Sequence, residues 1–356
     1  MYDLTTLGWD EFFERAFETY REQGHFAGRV VLEERGAYRL YSEQGEVSAR
    51  VRGKLRFDSE SAADFPAVGD WVSVFRRERD GLVQIHAVLP RRSKFSRKAA
   101  GANSEEQVVA ANVDTVFLVQ GLDHDFNVRR LERYLLAAFE SNAAPVVILS
   151  KADLCEDVDA RTAEAESVAP GTPVHAISSV TGSGLEEIER YFKPGVTVAF
   201  LGSSGAGKST LINRIVGEEI QKTAEVRKHD SRGRHTTTHR ELIVLNTGGL
   251  LIDTPGMREL QLWDAGGSLS EAFSDVESIA AACYFTNCRH EKEPGCAVRE
   301  ALADGSLDAA RYESYVKLER ELEYLDSRMD ERLNLKRKSR EKKIHRAYRM
   351  IKNRRT

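Results

Sequence analysis

The chain has 356 residues, of which 41% are hydrophobic and 30% are charged, so it is long enough to bury two or three separate cores. It shows no basic and apolar leader and no run of about 18 apolar residues, so neither a secretory signal nor a membrane-spanning helix is expected, and a cytoplasmic protein is predicted. The formal net charge of −4 hides an asymmetry, because residues 331–356 hold twelve Lys or Arg and two Glu, a net +10 that leaves −14 for the rest and indicates a polyanionic partner such as nucleic acid.

Aromatic residues at helical spacing stand near the start of the chain. The segment from Trp9 to Gln23 predicts an amphipathic helix that packs its aromatic face on a neighbour, and its acidity disfavours a membrane-surface role. From Gly28 to about Pro90, short β-rich runs alternate with Gly and Asp turns, which predicts a five-stranded barrel of the OB type, with an SH3-like barrel as the alternative. The predicted strands are 29–33, 37–42, 46–52, 70–75 and 83–89.

A basic segment follows the predicted barrel. Residues 91–103 carry five Lys or Arg before Ala-Ala-Gly-Ala-Asn, which predicts a weakly structured linker. Beyond it, apolar runs alternate with helical segments such as 129–141 and 185–192, as in a mostly parallel sheet covered on both faces, the α/β class. The predicted strands are 113–120, 146–150, 174–177, 196–202, 242–245 and 250–253.

A phosphate-binding sequence comes directly after the strand predicted over 196–202. Gly202-Ser203-Ser204-Gly205-Ala206-Gly207-Lys208-Ser209 fits the pattern G-x-x-x-x-G-K-[ST] and opens a helix at Thr210. Its glycines let backbone N–H groups face phosphate oxygens, and the helix N-terminus adds a positive end. Lys208 is expected to reach the β- and γ-phosphates, and the Ser209 hydroxyl is expected to bind Mg²⁺.

A carboxylate for the same site stands at the end of the strand predicted over 250–253. In the turn Asp253-Thr254-Pro255-Gly256, Asp253 is expected to hold Mg²⁺ through water, and the Gly256 N–H is expected to lie near the γ-phosphate. Met257 then stands where GTPases commonly carry a Gln that orients the attacking water, so another group must position this water.

A polar run over 227–240 lies between these two motifs and predicts the first switch loop. Either Thr236 or Thr237 is expected to bind Mg²⁺ through its hydroxyl. His235 is the candidate for positioning the water, and an ordinary exposed loop histidine is the alternative.

Base selection is predicted at the end of another strand. In Ser150-Lys151-Ala152-Asp153, the Asp153 carboxylate can accept from the N1–H and N2–H₂ groups of guanine, whereas adenine would leave it unpaired. This disfavours the alternative of a P-loop ATPase or kinase. Ser178-Ser179, after the 174–177 strand, is expected to bring a backbone N–H to the guanine carbonyl. Both base motifs precede the phosphate loop, the reverse of the usual GTPase order, so a circular permutation is predicted.

Three cysteines and a histidine lie within fourteen residues. Cys283-x₄-Cys288-x-His290-x₅-Cys296 is the ligand set of a closed tetrahedral zinc site, so one structural Zn²⁺ is predicted, with buried or disulfide-prone cysteines as the alternative. Cys155 lies outside this cluster. From 307 to 335 an apolar stripe at three- and four-residue spacing predicts a long amphipathic helix, and the basic arm beyond it could order on RNA or remain a solvated tail.

The barrel, the permuted motif order, the Cys/His cluster and the basic tail together resemble the bacterial ribosome small-subunit-dependent GTPase A family, over roughly residues 25–356. After the N-terminal helix (1–25) that the aromatic spacing predicts, the resemblance implies an OB-type barrel (26–98), a circularly permuted GTPase domain (105–265) and a helical zinc domain with a basic arm (270–356). It also implies a monomer that binds GTP and GDP and acts late in maturation of the 30S ribosomal subunit, in contact with 16S rRNA, with hydrolysis stimulated by the subunit.

Two residues depart from the family's pattern. Ser150 is shorter than the Asn or Thr that commonly begins the guanine motif, which bears on nucleotide affinity rather than on base choice. Gly205 stands where potassium-activated GTPases place an Asn, so potassium dependence is not supported. Because the water-orienting Gln is absent, a GTP-gated RNA-binding scaffold with little hydrolysis is the alternative function.

Overall fold

The computed structural model describes residues 2–34, 36–77, 81–98, 106–217, 241–253, 268–325 and 327. The chain divides into two compact units, Met1–Gln261 and Leu262–Thr356. The finer domain boundaries expected from the sequence remain predictions. No helix among the described residues is long and apolar enough to cross a membrane.

The predicted N-terminal helix is present as α1 (Glu11–Glu22). Asp10 caps it, because its carboxylate accepts the Phe12 N–H at 3.0 Å. Phe13 and Phe17 are buried, and Phe13 packs against Trp71 of the following barrel with ring centroids 5.9 Å apart. The helix therefore anchors its aromatic face on the barrel, as its spacing predicts.

Five strands form a closed barrel, which confirms the OB-type prediction. They are β1 (Phe26–Glu34), β2 (Ala37–Ser42), β3 (Gly45–Val51), β4 (Trp71–Arg76) and β5 (Val83–Val88), with α2 (Gly53–Asp58) between β3 and β4. The strand order is β1-β2-β3-β5-β4, and β4 pairs again with β1 to close the barrel. Its interior is filled by inward-facing aliphatic side chains such as Val30, Leu40, Val72 and Ile85.

The basic segment after the barrel is structured over residues 91–98, so the expectation of a weakly structured linker is wrong there, and residues 99–103 lie outside the described residues. Its residues form β6 (Lys94–Lys98), which pairs antiparallel with β7 (Glu106–Ala111). The segment looks solvated in the sequence because it holds many cations, but it also contains Phe95, which is 1% exposed and packs into the main core. Just before β6, Arg91 makes a two-pronged ion pair with the buried Asp70, at 2.6 and 2.8 Å. The cations that suggested a solvated segment therefore lie in β6 or just before it, in a strand pair that packs on the fold.

The second half of this unit is the predicted α/β sheet. Its strands are β8 (Thr115–Gly121), β9 (Ala144–Ser150), β10 (Val174–Ala176), β11 (Thr197–Gly202), β12 (Glu241–Val244) and β13 (Leu250–Asp253). Strands β10, β9, β8, β11 and β13 are adjacent in that order and parallel. β12 runs antiparallel to β13 and also pairs with β1 of the barrel, so both parts share one eleven-stranded sheet.

Helices cover both faces of the parallel sheet. They are α3 (Val128–Glu140), α4 (Val158–Val168), α5 (Leu185–Glu189) and α6 (Lys208–Val216). Alternate residues of β8 point to opposite cores: Leu118 packs with Leu131 of α3, whereas Phe117 packs with Leu211 of α6. Burial on both faces explains why these strands are continuous apolar runs in the sequence.

The second unit is helical. It contains α7 (Ser268–Ala272), α8 (Ser274–Ala280), α9 (Ala297–Asp304) and a helix α10 over 309–325. Arg311 at the start of α10 pairs with Asp275 of α8 at 2.9 Å and lies 4.0 Å above the Phe273 ring. The helix predicted over 307–335 is thus found as far as residue 325. The basic arm over 331–356 lies outside the described residues.

Candidate functional site

The carboxyl ends of four neighbouring parallel strands bring the predicted motifs to one edge of the sheet. β9 ends at Ser150, β11 ends at Gly202, and β13 ends at Asp253. The loop after β8 lies between them, because β8 is paired with both β9 and β11. In open α/β sheets, ligands bind at this edge.

The phosphate loop has the conformation that its glycines allow. Gly205 and Gly207 adopt left-handed φ angles of 80° and 90°, which a residue with a Cβ atom rarely adopts. A Cβ atom on Gly202 would lie 2.3 Å from the carbonyl oxygen of Val119, so only glycine fits there. The Lys208 ammonium donates to the carbonyl oxygens of Gly202 and Ser203, at 2.8 and 2.6 Å. The predicted lysine therefore lies directly over the loop.

Asp253 lies in the same site, at the end of β13. Burial raises the pKa of its carboxyl to about 6; the positive charge of Lys208 opposes this rise, and the negative charge of Glu241 adds to it. A bound divalent cation would favour the ionised carboxylate. The half-buried position of Asp253, within the electrostatic influence of Lys208, suits the metal-binding role expected from its motif.

Ser150 braces the phosphate loop. Its hydroxyl donates to the carbonyl oxygen of Ala206 at 2.5 Å, and the residue is 2% exposed. The first residue of the base motif thus acts on the phosphate loop, which the sequence did not reveal.

The rest of the base motif is also ordered. Asp153 accepts a hydrogen bond from the Ser178 hydroxyl at 2.5 Å, which joins the two predicted base-binding segments. The Ser178 N–H donates to the carbonyl of Ser183, so Ser179 is the better candidate for donating a backbone N–H to guanine. Lys151 adopts a left-handed φ of 61°.

Two acidic residues that sequence reasoning missed contact these motifs. Asp123 pairs with the Lys151 ammonium at 2.6 Å, and Asp125 accepts a hydrogen bond from the Ser203 hydroxyl. Both lie in the loop after β8. The available signal was their position immediately beyond the carboxyl end of a parallel strand, since functional loops gather at that edge.

Other predicted residues lie outside the described residues. These are His235, Thr236 and Thr237 of the predicted first switch, and Thr254, Pro255, Gly256 and Met257 after Asp253. Their roles remain predictions.

The cysteine and histidine cluster of the second unit is assembled as predicted. The ligand atoms of Cys283, Cys288, His290 and Cys296 all lie within 4.8 Å of one another. The Cys283 and Cys296 sulfur atoms are 3.9 Å apart, and the His290 Nδ1 atom is 3.5 and 3.4 Å from them. A tetrahedral ion with metal–sulfur bonds of about 2.3 Å and a metal–nitrogen bond of about 2.0 Å requires separations of about 3.5 Å between sulfur and nitrogen and about 3.8 Å between two sulfur atoms. The cluster therefore fits one metal ion.

The start of α9 supports the thiolate form of one ligand. Burial tends to raise the pKa of the Cys283 thiol, but hydrogen bonds from the backbone N–H groups of Val298 and Ala297 outweigh it and lower this pKa below its ordinary value. Metal-binding thiols bind as thiolates, so these N–H groups favour binding.

Comparisons with known proteins match this architecture. A family model described as RsgA GTPase matches residues 88–263. The "Small ribosomal subunit biogenesis GTPase RsgA" of Opitutus terrae is 48% identical over 355 residues, 97% of either chain. "Small ribosomal subunit biogenesis GTPase RsgA 1" of Oceanobacillus iheyensis is 46% identical over 91% of this chain and 95% of its own.

Two solved structures resemble the fold. YjeQ from Thermotoga maritima has a TM-score of 0.62 at 28% identity and covers 84% of this chain and 98% of its own. YloQ, described as a circularly permuted GTPase, has a TM-score of 0.59 at 26% identity and covers 84% of this chain and 95% of its own. The permuted order inferred from the motifs is therefore confirmed. With these matches over almost its whole length, the chain belongs to the RsgA GTPase family.

Proposed function

We propose that this protein hydrolyses GTP to GDP in late maturation of the small (30S) ribosomal subunit, and that the subunit stimulates the reaction. The observation that carries the proposal is the convergence of Ser150, Asp153, Lys208 and Asp253 at one sheet edge in a member of this family. The names of the Opitutus and Oceanobacillus relatives support the ribosomal role.

The nucleotide would lie across the phosphate loop, from Gly202 to Thr210, with its base at Asp153. The backbone N–H groups of the loop and the Lys208 ammonium would neutralise the phosphates. Guanine would be selected by two N–H donors facing the Asp153 carboxylate, which the Ser178 hydroxyl holds in place.

Mg²⁺ would be held by the Ser209 hydroxyl, by Asp253 through water, and by Thr236 or Thr237. When bound, the ion would stabilise the charge that develops on the phosphate oxygens. His235 is the residue proposed to position the attacking water, because Met257 occupies the usual place of a Gln.

The Cys283, Cys288, His290 and Cys296 cluster would hold one Zn²⁺. Four protein ligands leave no open position for water, so the role proposed for this ion is structural. The net +10 of residues 331–356 supports 16S rRNA as a direct contact, and such a partner supports a cytoplasmic location.

The decisive experiment measures GTP hydrolysis by the purified chain alone and with added 30S subunits, 50S subunits or bare 16S rRNA. We expect strong stimulation by 30S subunits only. Tight GTP binding without stimulation by any of them would favour the GTP-gated RNA-binding scaffold that the missing Gln allows.

Base choice provides a matched control. Xanthine carries a carbonyl where guanine carries its exocyclic amino group, so the amide of Asp153→Asn can donate where the carboxylate could only accept. This variant should lose GTP binding and gain xanthosine triphosphate binding. Unchanged GTP preference would argue against the proposed base site.

A further inference from the structure

The loop between β8 and α3, residues 122–127, contacts both halves of the nucleotide site. We infer that Asp123 and Asp125 of this loop are positioning residues for the nucleotide, Asp123 through Lys151 of the base motif and Asp125 through Ser203 of the phosphate loop. This inference rests on the proposed function and assigns a role to a segment that lies outside the nucleotide motifs recognised in the sequence.

Asp123 fixes the position of Lys151. Its carboxylate lies 2.6 Å from the Lys151 ammonium, with side-chain exposures of 17% and 28%. Burial tends to raise the pKa of Asp123. Other interactions, the largest of which is the hydrogen bond from Lys151, nevertheless keep this pKa below its ordinary value. The Lys151 stem passes over Gly121, where an added Cβ atom would lie 3.4 Å from the Lys151 Cδ atom and 2.9 Å from an Asp123 oxygen. Glycine at position 121 thus leaves room for the Lys151 and Asp123 side chains to lie against the backbone.

The ion pair also stabilises an unusual backbone. Lys151 has a φ of 61°, in the left-handed region that is unfavourable for a residue with a Cβ atom. This turn carries the chain from the strand end at Ser150 into Asp153, the base-selecting residue. A contact that holds the Lys151 side chain therefore helps to maintain the direction in which Asp153 points.

Asp125 acts on the other half of the site. It accepts a hydrogen bond from the hydroxyl of Ser203, the second residue of the phosphate loop. A free carboxylate beside a phosphate site would repel the ligand, but Arg130 of α3 pairs with Asp125 at 3.0 Å and balances its charge. The carboxylate can therefore brace the loop without opposing phosphate binding.

The Asp123 and Asp125 contacts are linked to each other, and their loop is hydrogen-bonded to a buried residue of β8. The second oxygen of Asp123 accepts the backbone N–H of Asp125 at 3.0 Å. At the end of the loop, the backbone of Asn127 exchanges two hydrogen bonds with the fully buried Gln120 amide, at 2.9 and 3.1 Å. The loop thus connects the base motif to the phosphate loop through a short chain of direct contacts.

The test measures affinity for GTP and for GDP, together with thermal stability, in single and double variants. For the base side these are Asp123→Ala, Lys151→Ala and the pair. For the phosphate side they are Asp125→Ala, Ser203→Ala and the pair. Glu156→Ala, at an exposed carboxylate on the cavity that Asp123 also lines, is the control.

We expect Asp123→Ala to weaken GTP and GDP alike by about tenfold, which is about 1.4 kcal/mol. The loss in the Asp123/Lys151 double variant should be clearly smaller than the two single losses combined, because both remove one interaction. Asp125 and Ser203 should behave in the same way, and Glu156→Ala should bind as the wild type does. Asp123→Asn, which keeps the shape and loses the charge, provides the same test if the alanine variant is unstable.

Wild-type affinity in the Asp123 and Asp125 variants, or losses that add fully in both cycles, would overturn the inference while leaving the proposed function intact. A wild-type chain that binds neither GTP nor GDP would overturn the proposed function and this inference with it.

Discussion

Replacement of Ser150 by alanine tests how the base motif supports the phosphate loop. The change removes a hydroxyl that donates its hydrogen bond to the Ala206 carbonyl, at 2.5 Å. The Gln120 carbonyl is farther from this hydroxyl, at 3.2 Å. Ser150 is 2% exposed, so water cannot readily replace the lost donor. The Ala206 carbonyl is then left without this partner inside the protein.

The expected loss is one of nucleotide affinity. An unpaired buried acceptor costs about 1–3 kcal/mol, and the middle of this range corresponds to about a thirtyfold change in a dissociation constant. In the empty protein the glycines at 205 and 207 give the loop freedom to turn this carbonyl elsewhere. A bound nucleotide removes that freedom, because the same peptides must direct their N–H groups at the phosphates. The penalty therefore falls mainly on the bound state.

The assay is titration with a fluorescent GDP analogue, with thermal unfolding measured in parallel. Ser141→Ala is a matched control: Ser141 is 4% exposed and donates its hydroxyl to the Ala138 carbonyl at 2.7 Å, at the end of α3. It should lower stability and leave affinity unchanged. An affinity of Ser150→Ala within twofold of wild type, or an equal loss in Ser141→Ala, would refute the reasoning.

Three further predictions concern the rest of the molecule. Cys288→Ser should lower the zinc content measured by atomic absorption from one ion per chain toward none, and should abolish the cooperative melting of the second unit, because metal binding supplies about 10 kcal/mol or more in comparable sites. Asp70→Ala should lower the free energy of unfolding in urea by about 3 kcal/mol, because it leaves the largely buried Arg91 guanidinium without its counter-charge and with backbone carbonyls as its remaining partners. Glu11→Gln, in an exposed pair, should cost about 1 kcal/mol or less. The neighbouring His25 and His86 have pKa values lowered, first by burial and then by nearby positive charges, so the unfolded chain binds protons more readily and stability should fall as the pH drops below about 6.5. Changing both histidines to Gln should flatten that part of the profile of unfolding free energy against pH, and an unchanged slope would contradict the assignment.

The sequence predicts most of the fold because its signals are local. A strand buried on both faces must be a continuous apolar run, and a phosphate loop must have glycine where the backbone turns left-handed or passes close to a neighbour. Gly202, Gly205 and Gly207 meet those conditions in the structure. The four residues of the Cys/His cluster lie within fourteen positions, so their spacing alone indicates that they can meet.

The contacts missed by sequence analysis depend on distant partners. Lys94 and Lys98 suggest a solvated segment until the pairing with β7 and the burial of Phe95 are known. Asp123 and Asp125 look like ordinary loop acids, and only the lateral order of the strands places them between Lys151 and Ser203. Contacts between residues 28 and 78 positions apart leave no periodic trace in the chain.

Lateral order also explains why a permuted chain can keep the site. The site depends on β9, β8, β11 and β13 being neighbours, whichever of them comes first in the sequence. In this order the barrel precedes the sheet and contacts it through β1. Leu32 of β1 pairs with Glu241, the first residue of β12 and the one that follows the predicted first switch. Arg29 of the same strand is buried and donates to the Thr197 hydroxyl at 3.0 Å, where β11 begins its course to the phosphate loop. The barrel is therefore in direct contact both with the strand that follows the predicted switch and with the strand that ends at the phosphate loop.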